Sequence, residues 1–230
     1  ILNFLNELSG ARLTFNYMRI GGVKWDAPDG WIEKVAAFIP YMREQIAGYR
    51  DLVSGNEIFQ TRVKGIGIYS ADEAIAYSLS GPNLRCTGID QDIRKTAPYS
   101  IYERFRFKSV TRETGDVLSR YEIRLDEMEE SLKILEQAIE QFPESGPVLA
   151  KVPKIVKPPK GEGFVRIESP RGEIGCYIAS EGKKEPYRLK FRRPSFYNLQ
   201  ILPKLLKGEN IANLVAILGA IDIVLGEVDG

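Results

Sequence analysis

The chain has 230 residues, 43% of them apolar and 27% charged, with 32 basic against 31 acidic side chains and a net charge of +1. That length gives one large or two small domains with a core that needs no disulfide or metal to hold it. The near-neutral balance argues against a dedicated nucleic-acid binder, which carries a basic excess. Histidine is absent, so neither a Ser-His-Asp or Cys-His nucleophile nor an imidazole-based zinc site can be built within this chain. The two cysteines, Cys86 and Cys176, form no Cys-x-x-Cys pair. Alone they supply too few thiolates for an iron–sulfur cluster and read as two thiols in a reducing compartment. The longest apolar run, Ile211 to Leu225, is broken by Asn213, Gly219 and Asp222 and is shorter than the roughly 18 residues that span a bilayer.

In chain order, Ile1, Phe4, Leu8, Ala11 and Phe15 recur at helical steps, which predicts a helix ending near Gly21-Gly22. It is in progress at Ile1 with no capping residue before it, which gives the expectation of a longer chain lacking its amino-terminal part. A second helix, with Asp29 as its N-cap, carries Trp31, Val35, Phe38, Met42, Ile46, Tyr49 and Val53 on one face; Pro40 is expected to kink or break it. Ser70-Ala71-Asp72-Glu73 has the form of a capping box opening a helix through Leu79, which Ser80-Gly81-Pro82 stops. The strongest signal is the series Leu118, Tyr121, Leu125, Met128, Leu132, Leu135, Ile139 and Phe142, a bundle helix whose opposite face carries Glu122, Glu129, Glu130, Lys133, Glu136 and Glu140. That acidic face reads most simply as solvated.

Residues 143–162 hold Pro143, Pro147, Pro153, Pro158 and Pro159 among four lysines, an extended connection. The period then changes to two: Phe164, Val165 and Ile167; Ile174, Cys176 and Ile178; Tyr187, Leu189 and Phe191. These predict a three-stranded antiparallel sheet with turns at Ser169–Gly172 and Glu181–Lys184. Two apolar helices, 195–207 and 210–220, follow on either side of Gly208. The fold class is therefore α+β: a mainly helical bundle with a small antiparallel sheet near the carboxy-terminal end. Its parts are a helical region (1–142), the connection (143–162), and sheet plus helices (163–230).

Few residues carry evident chemistry. Gly65-Ile66-Gly67 begins like a dinucleotide loop but has Ser70 where glycine or alanine belongs and no βαβ unit around it. The basic series Lys183, Lys184, Arg188, Lys190, Arg192 and Arg193 alternates along one strand, as a solvated or partner-facing surface does. Arg171 sits at a hairpin tip, either solvated or projecting into a cleft. Asp222 interrupts an apolar run, either as a helix cap or in an internal cavity where a carboxylate finds partners.

The ordered motifs resemble a known family. Arg19-Ile20-Gly21-Gly22-Val23, Ser80-Gly81-Pro82-Asn83-Leu84-Arg85 with Gly88 and Asp92-Ile93-Arg94-Lys95, Gly115-Asp116 with Arg120-Tyr121, Glu168-Ser169-Pro170-Arg171-Gly172-Glu173, and Asp222 through Asp229 are similar to the signatures of the D-subunit family of NADH-quinone oxidoreductases (respiratory complex I). The match covers the carboxy-terminal part of that family, which is itself related to the large subunits of nickel–iron hydrogenases. The resemblance implies a hydrogenase-large-subunit-like fold whose metal site has been emptied. Val224 and Glu227 stand where hydrogenases place two cysteine ligands, and neither replaces a thiolate.

The same resemblance implies membership of a membrane-bound, proton-translocating NADH-quinone oxidoreductase. Its cavity would hold the quinone headgroup beside the neighbouring chain that carries the terminal iron–sulfur cluster. Arg171 and Asp222 would line the quinone end and stabilise charge on the reduced ring, and Val224 would touch the ring. Quinone is then substrate; no metal or cluster is expected on this chain. Partners would be the other complex I subunits and the membrane arm, not nucleic acid, with the chain peripheral on the cytoplasmic side of the cell membrane and inactive by itself. The competing expectation is a metal-free structural or assembly component of a related hydrogenase-like membrane complex. One departure is Gly230, where the family ends in arginine.

Overall fold

In the computed structural model, residues 1–153 and 155–229 are described. Gly230, and with it the departure from the family's arginine, lies outside them. Helix α1 (Leu2–Ser9) stops at Gly10, whose φ of 78° turns the backbone while its N–H caps the Asn6 carbonyl. The apolar period beyond it forms no helix, because Leu13 and Phe15 have no core to face and stand exposed. Ile20-Gly21 instead makes the turn between two short antiparallel strands, β1 (Met18–Arg19) and β2 (Gly22–Val23). Helix α2 (Trp31–Tyr49) starts from Gly30 at φ 74° rather than from an Asp29 cap, and it continues through Pro40 without a break. A single π turn, Arg50–Ser54, closes it.

Four short helices follow. In α3 (Glu57–Val63) the Asn56 side chain accepts from the first-turn amides of Ile58 and Phe59. The expected capping box opens α4 (Ala71–Ala76), with Ser70 and Glu73 each accepting from the other's backbone N–H. That helix ends three residues before Leu79, because Ser78 turns left-handed at φ 55°. Then come α5 (Pro82–Arg85) and α6 (Ile93–Thr96). Helix α7 (Val117–Glu140), capped by Asp116, is the long element the periodicity predicts. Arg43 pairs with Glu136 and Arg50 with Asp126, so α2 and α7 run antiparallel.

Helix α7 is not simply two-faced. Its amino-terminal half buries Arg120 as well as Ile123. On the acidic face Glu130 is also buried, accepting from the Lys108 amide at 2.7 Å.

The sheet is β3 (Gly161–Ser169), β4 (Gly172–Ser180) and β5 (Arg188–Arg192), antiparallel in that order. Beyond it the expected 195–207 helix is two, α8 (Pro194–Leu199) and α9 (Leu202–Leu206). Pro203 occupies the first turn of the second, where its missing N–H costs nothing. Then α10 (Asn213–Ile221) and the terminal turn α11 (Gly226–Asp229) complete a mainly helical α+β fold. The main core gathers Val63, Ala74, Leu84, Val117, Ile123, Ile201 and Ile217 where α3–α5, α7, α9 and α10 converge; a smaller cluster joins α2 to α7 through Ile39, Ile46 and Leu132. Cys86 lies in the main core, its Sγ 3.3 Å from the Tyr69 hydroxyl, and burial pushes its thiol up; Cys176 on β4 is half-buried.

One contact leaves no room for a side chain. A Cβ on Gly81 (φ 63°) would lie far inside van der Waals contact with the Gly172 Cα, and one on Gly172 (φ 131°) would collide with the Ser80 Oγ. Gly81→Ala is therefore expected to destabilise by about 3 kcal/mol or more. At Gly10, which has open space, Gly→Ala pays only for backbone conformation, about 1 kcal/mol. Thermal unfolding of the two variants side by side checks this; equal losses would show that the backbone contact is not tight.

Candidate functional site

The register of β3 against β4 pairs Ser169 with Gly172 and leaves Pro170-Arg171 as the turn between them. Two hydrogen bonds pin that hairpin to the helical body, and a third ties their two anchoring residues together. Asn198 donates to the Arg171 carbonyl at 2.9 Å, the Ser80 amide donates to Asn198 at 3.1 Å, and the Glu173 amide donates to Ser80 Oγ at 3.0 Å. Arg171 is thereby aimed at the end of α10, where Asp222 takes a left-handed backbone (φ 59°, ψ 60°) that aspartate tolerates better than most residues. Its position is that of a helix cap, but its side chain turns to charged partners. Arg171 Nη2 lies 3.4 Å from one carboxylate oxygen and Arg124 Nε 3.5 Å from the other. The sequence singled out Arg171 and Asp222 separately; the fold brings them into contact.

Arg171 retains an unused donor, its Nε–H, whereas the Nε of Arg124 is the atom that faces Asp222. Burial pulls the Arg124 guanidinium below its ordinary value, against the opposing charges of Asp222 and Glu127. Val224 stands apart from this group. Its amide donates to Ser195 Oγ at 3.1 Å, and Ser195 in turn gives its hydroxyl and its amide to Glu227. Glu227 is thus an internal tether for the terminal turn, and the Val224 side chain is part-exposed.

Two cavities meet at the Arg124–Asp222 pair. One, of about 530 Å³, runs between α3, α7 and α10 and is walled by Phe59, Val117, Tyr121, Val215 and Ala216. The other, of about 390 Å³, is polar and is lined by Arg85, Arg94, Glu127, Glu168 and Ser169; Arg124 and Asp222 border both. Sequence reasoning gave no role to Arg124, Arg85, Glu127 or Glu168. Arg85 and Glu168 lie inside the family-like motifs, a usable signal, whereas Arg124 and Glu127 look like ordinary polar residues of a bundle helix. Arg85, almost fully buried, reaches Glu127 at 2.7 Å, Glu168 at 2.8 Å and the Gln91 carbonyl at 2.8 Å. Among the described residues, no group of three or more His, Cys, Asp or Glu side chains is placed to hold a metal.

Fold and site together define a helical scaffold that holds a carboxylate between two guanidinium groups, where a polar and an apolar cavity share a wall. The family model for the respiratory-chain NADH dehydrogenase 49 kDa subunit matches residues 1–162 and 151–230. The chain belongs to that family. Proteins named as the D subunit of NADH-quinone oxidoreductase from Bacillus anthracis and Bacillus mycoides are 77% identical over all 230 residues, and one from Bacillus cytotoxicus is 76% identical. The chain spans 63% of the length of each of these curated relatives.

Removing the Arg85 charge leaves two largely buried carboxylates, Glu127 and Glu168, without the cation they share. Arg85→Met is expected to cost about 3–5 kcal/mol in urea denaturation. A loss below about 1 kcal/mol would mean that solvent already screens Glu127 and Glu168.

Proposed function

We propose that this chain forms the quinone-facing part of the D subunit in a membrane-bound, proton-translocating NADH-quinone oxidoreductase. The family supports the assembly, and the relatives' printed name supports the quinone. The observation that carries the reading is Asp222 held loosely between Arg171 and Arg124, at 3.4 and 3.5 Å, with the Arg171 Nε–H unpartnered, beside an apolar cavity. An apolar groove with a few convergent polar groups is the usual form of a small-molecule site.

The ring enters along the apolar wall, and a ring oxygen takes the free Arg171 donor. As electrons arrive from the partner subunit that carries the terminal iron–sulfur cluster, negative charge grows on that oxygen. Two guanidinium groups in a site of low polarity stabilise it, and stabilise it more in the reduced ring than in the neutral one, which is what accelerates reduction. Asp222 offsets one of the two positive charges, holds both arginines in place, and passes a proton to the ring oxygen. Val224, on the adjoining turn, offers an apolar contact. No described helix is long and apolar enough to cross a membrane; in this reading the chain sits peripherally on the cytoplasmic side, against the membrane arm, and is inactive without its partners.

Asp222→Asn keeps the left-handed backbone, which asparagine also tolerates, while removing the charge. In membranes carrying the full-length protein, quinone reduction is expected to fall about tenfold or more with assembly on native gels unchanged. Normal assembly with normal turnover would sink the site assignment and favour a structural or assembly role.

A further inference from the structure

The polar cavity on the far side of the Arg124–Asp222 pair has no part in holding the ring. Glu168 faces it from the end of β3 with a side chain only 6% exposed. Its backbone is fixed by Tyr99, whose hydroxyl accepts from the Glu168 amide at 3.2 Å. One carboxylate oxygen accepts from Arg85 at 2.8 Å and the other from the Ile93 amide at 3.2 Å. The charged groups around it are Arg85 from α5, Asp92 capping α6 and Arg94 within it, Glu173 across the sheet, and Glu127 of α7 through Arg85. Burial pushes the Glu168 carboxyl above its ordinary value, Asp92 adds to this, and Arg85 opposes it. Asp222, Glu127, Ser131 and Ser169 border the same space of about 390 Å³. At about 30 Å³ each, several waters with polar partners fit there.

We infer that Glu168 is the proton store of the site, supplying Asp222 through water in the polar cavity. The inference rests on the quinone reading and adds to it the source of a proton. Full reduction of a quinone ring takes two electrons and two protons, the electrons coming from the one-electron carriers of the partner subunit. For one of those protons, the Glu168 O–H bond breaks, a proton passes along the water, and an O–H bond forms on Asp222. That bond then breaks as the ring oxygen gains its hydrogen. Arg85 holds the Glu168 carboxylate left behind, which reloads from solvent. Glu168 does not touch the ring, so it acts through Asp222.

The test uses the assembled complex with the full-length protein. Glu168→Gln is expected to lower kcat about tenfold at alkaline pH with KM changed less than about twofold, the loss shrinking as pH falls. The solvent deuterium isotope effect on kcat is expected to rise. A kcat–pH curve superimposable on that of the unsubstituted complex overturns the relay; the quinone reading itself falls only if Asp222→Asn also keeps full turnover. If Glu168→Gln does not assemble, Glu127→Gln decides the matter. It removes a neighbouring negative charge and leaves Arg85 to Glu168 alone, and both changes lower the Glu168 pKa. The alkaline limb of kcat is then expected to move about half a pH unit or more toward acid, and an unmoved limb overturns the relay.

Discussion

Two backbones touch where Gly81 meets Gly172, and from that contact the geometry of the site follows. The approach brings Ser80 within reach of the Glu173 amide and Asn198 within reach of the Arg171 carbonyl, so the hairpin tip is anchored on both sides. A sheet packed even one side chain further out would move the Arg171 guanidinium away from Asp222. The distance between a turn arginine and a helix-end carboxylate thus depends on the absence of two methyl groups elsewhere, at Gly81 and Gly172.

Helix α7 joins the interior to the site. Arg120 is fully buried over the Tyr69 ring, 5.0 Å away, and donates to the Gly115 and Gly67 carbonyls, so its charge serves packing. One turn later Arg124 donates to the Arg120 carbonyl at 2.7 Å and turns its Nε to Asp222. Glu127, three residues on, holds Arg85. Three charged residues on one side of one helix therefore take three kinds of partner within two turns: backbone carbonyls, Asp222 and Arg85. The helix is fixed at its start by Asp116, which accepts from the Ser119 and Gly65 amides, and by its packing on α2.

Much of the architecture was legible because it depends on period. The 3.6-residue repeat gave α7, the two-residue repeat gave the three strands, and turn chemistry gave the tip bearing Arg171. What escaped depends on competition the period does not record. The pattern of α1 runs to Phe15, but Gly10 ends the helix first, since no core lies beyond it to stabilise further turns. Asp29 lost the capping position to Gly30, and the apolar stretch over 195–207 divides at Gln200-Ile201, just ahead of Pro203. For the site, Asp222 and Arg171 were visible as oddities of local sequence. Arg124, Glu127 and Glu168 were not, because a charged residue on a helix or strand looks solvated until tertiary structure closes over it.

The two cysteines differ in what must happen before a reagent can reach them. Cys86 is fully buried among Tyr69, Asn83 and the main core, with burial holding its thiol in the unreactive protonated form, whereas Cys176 lies half-exposed on the sheet. Alkylation therefore reads two levels of opening in one molecule: Cys176 answers to motions of the sheet, and Cys86 only to separation of the helices that form the floor of the site. The sequence thus carries its own pair of clocks, one set by surface breathing and the other by the slowest opening of the core.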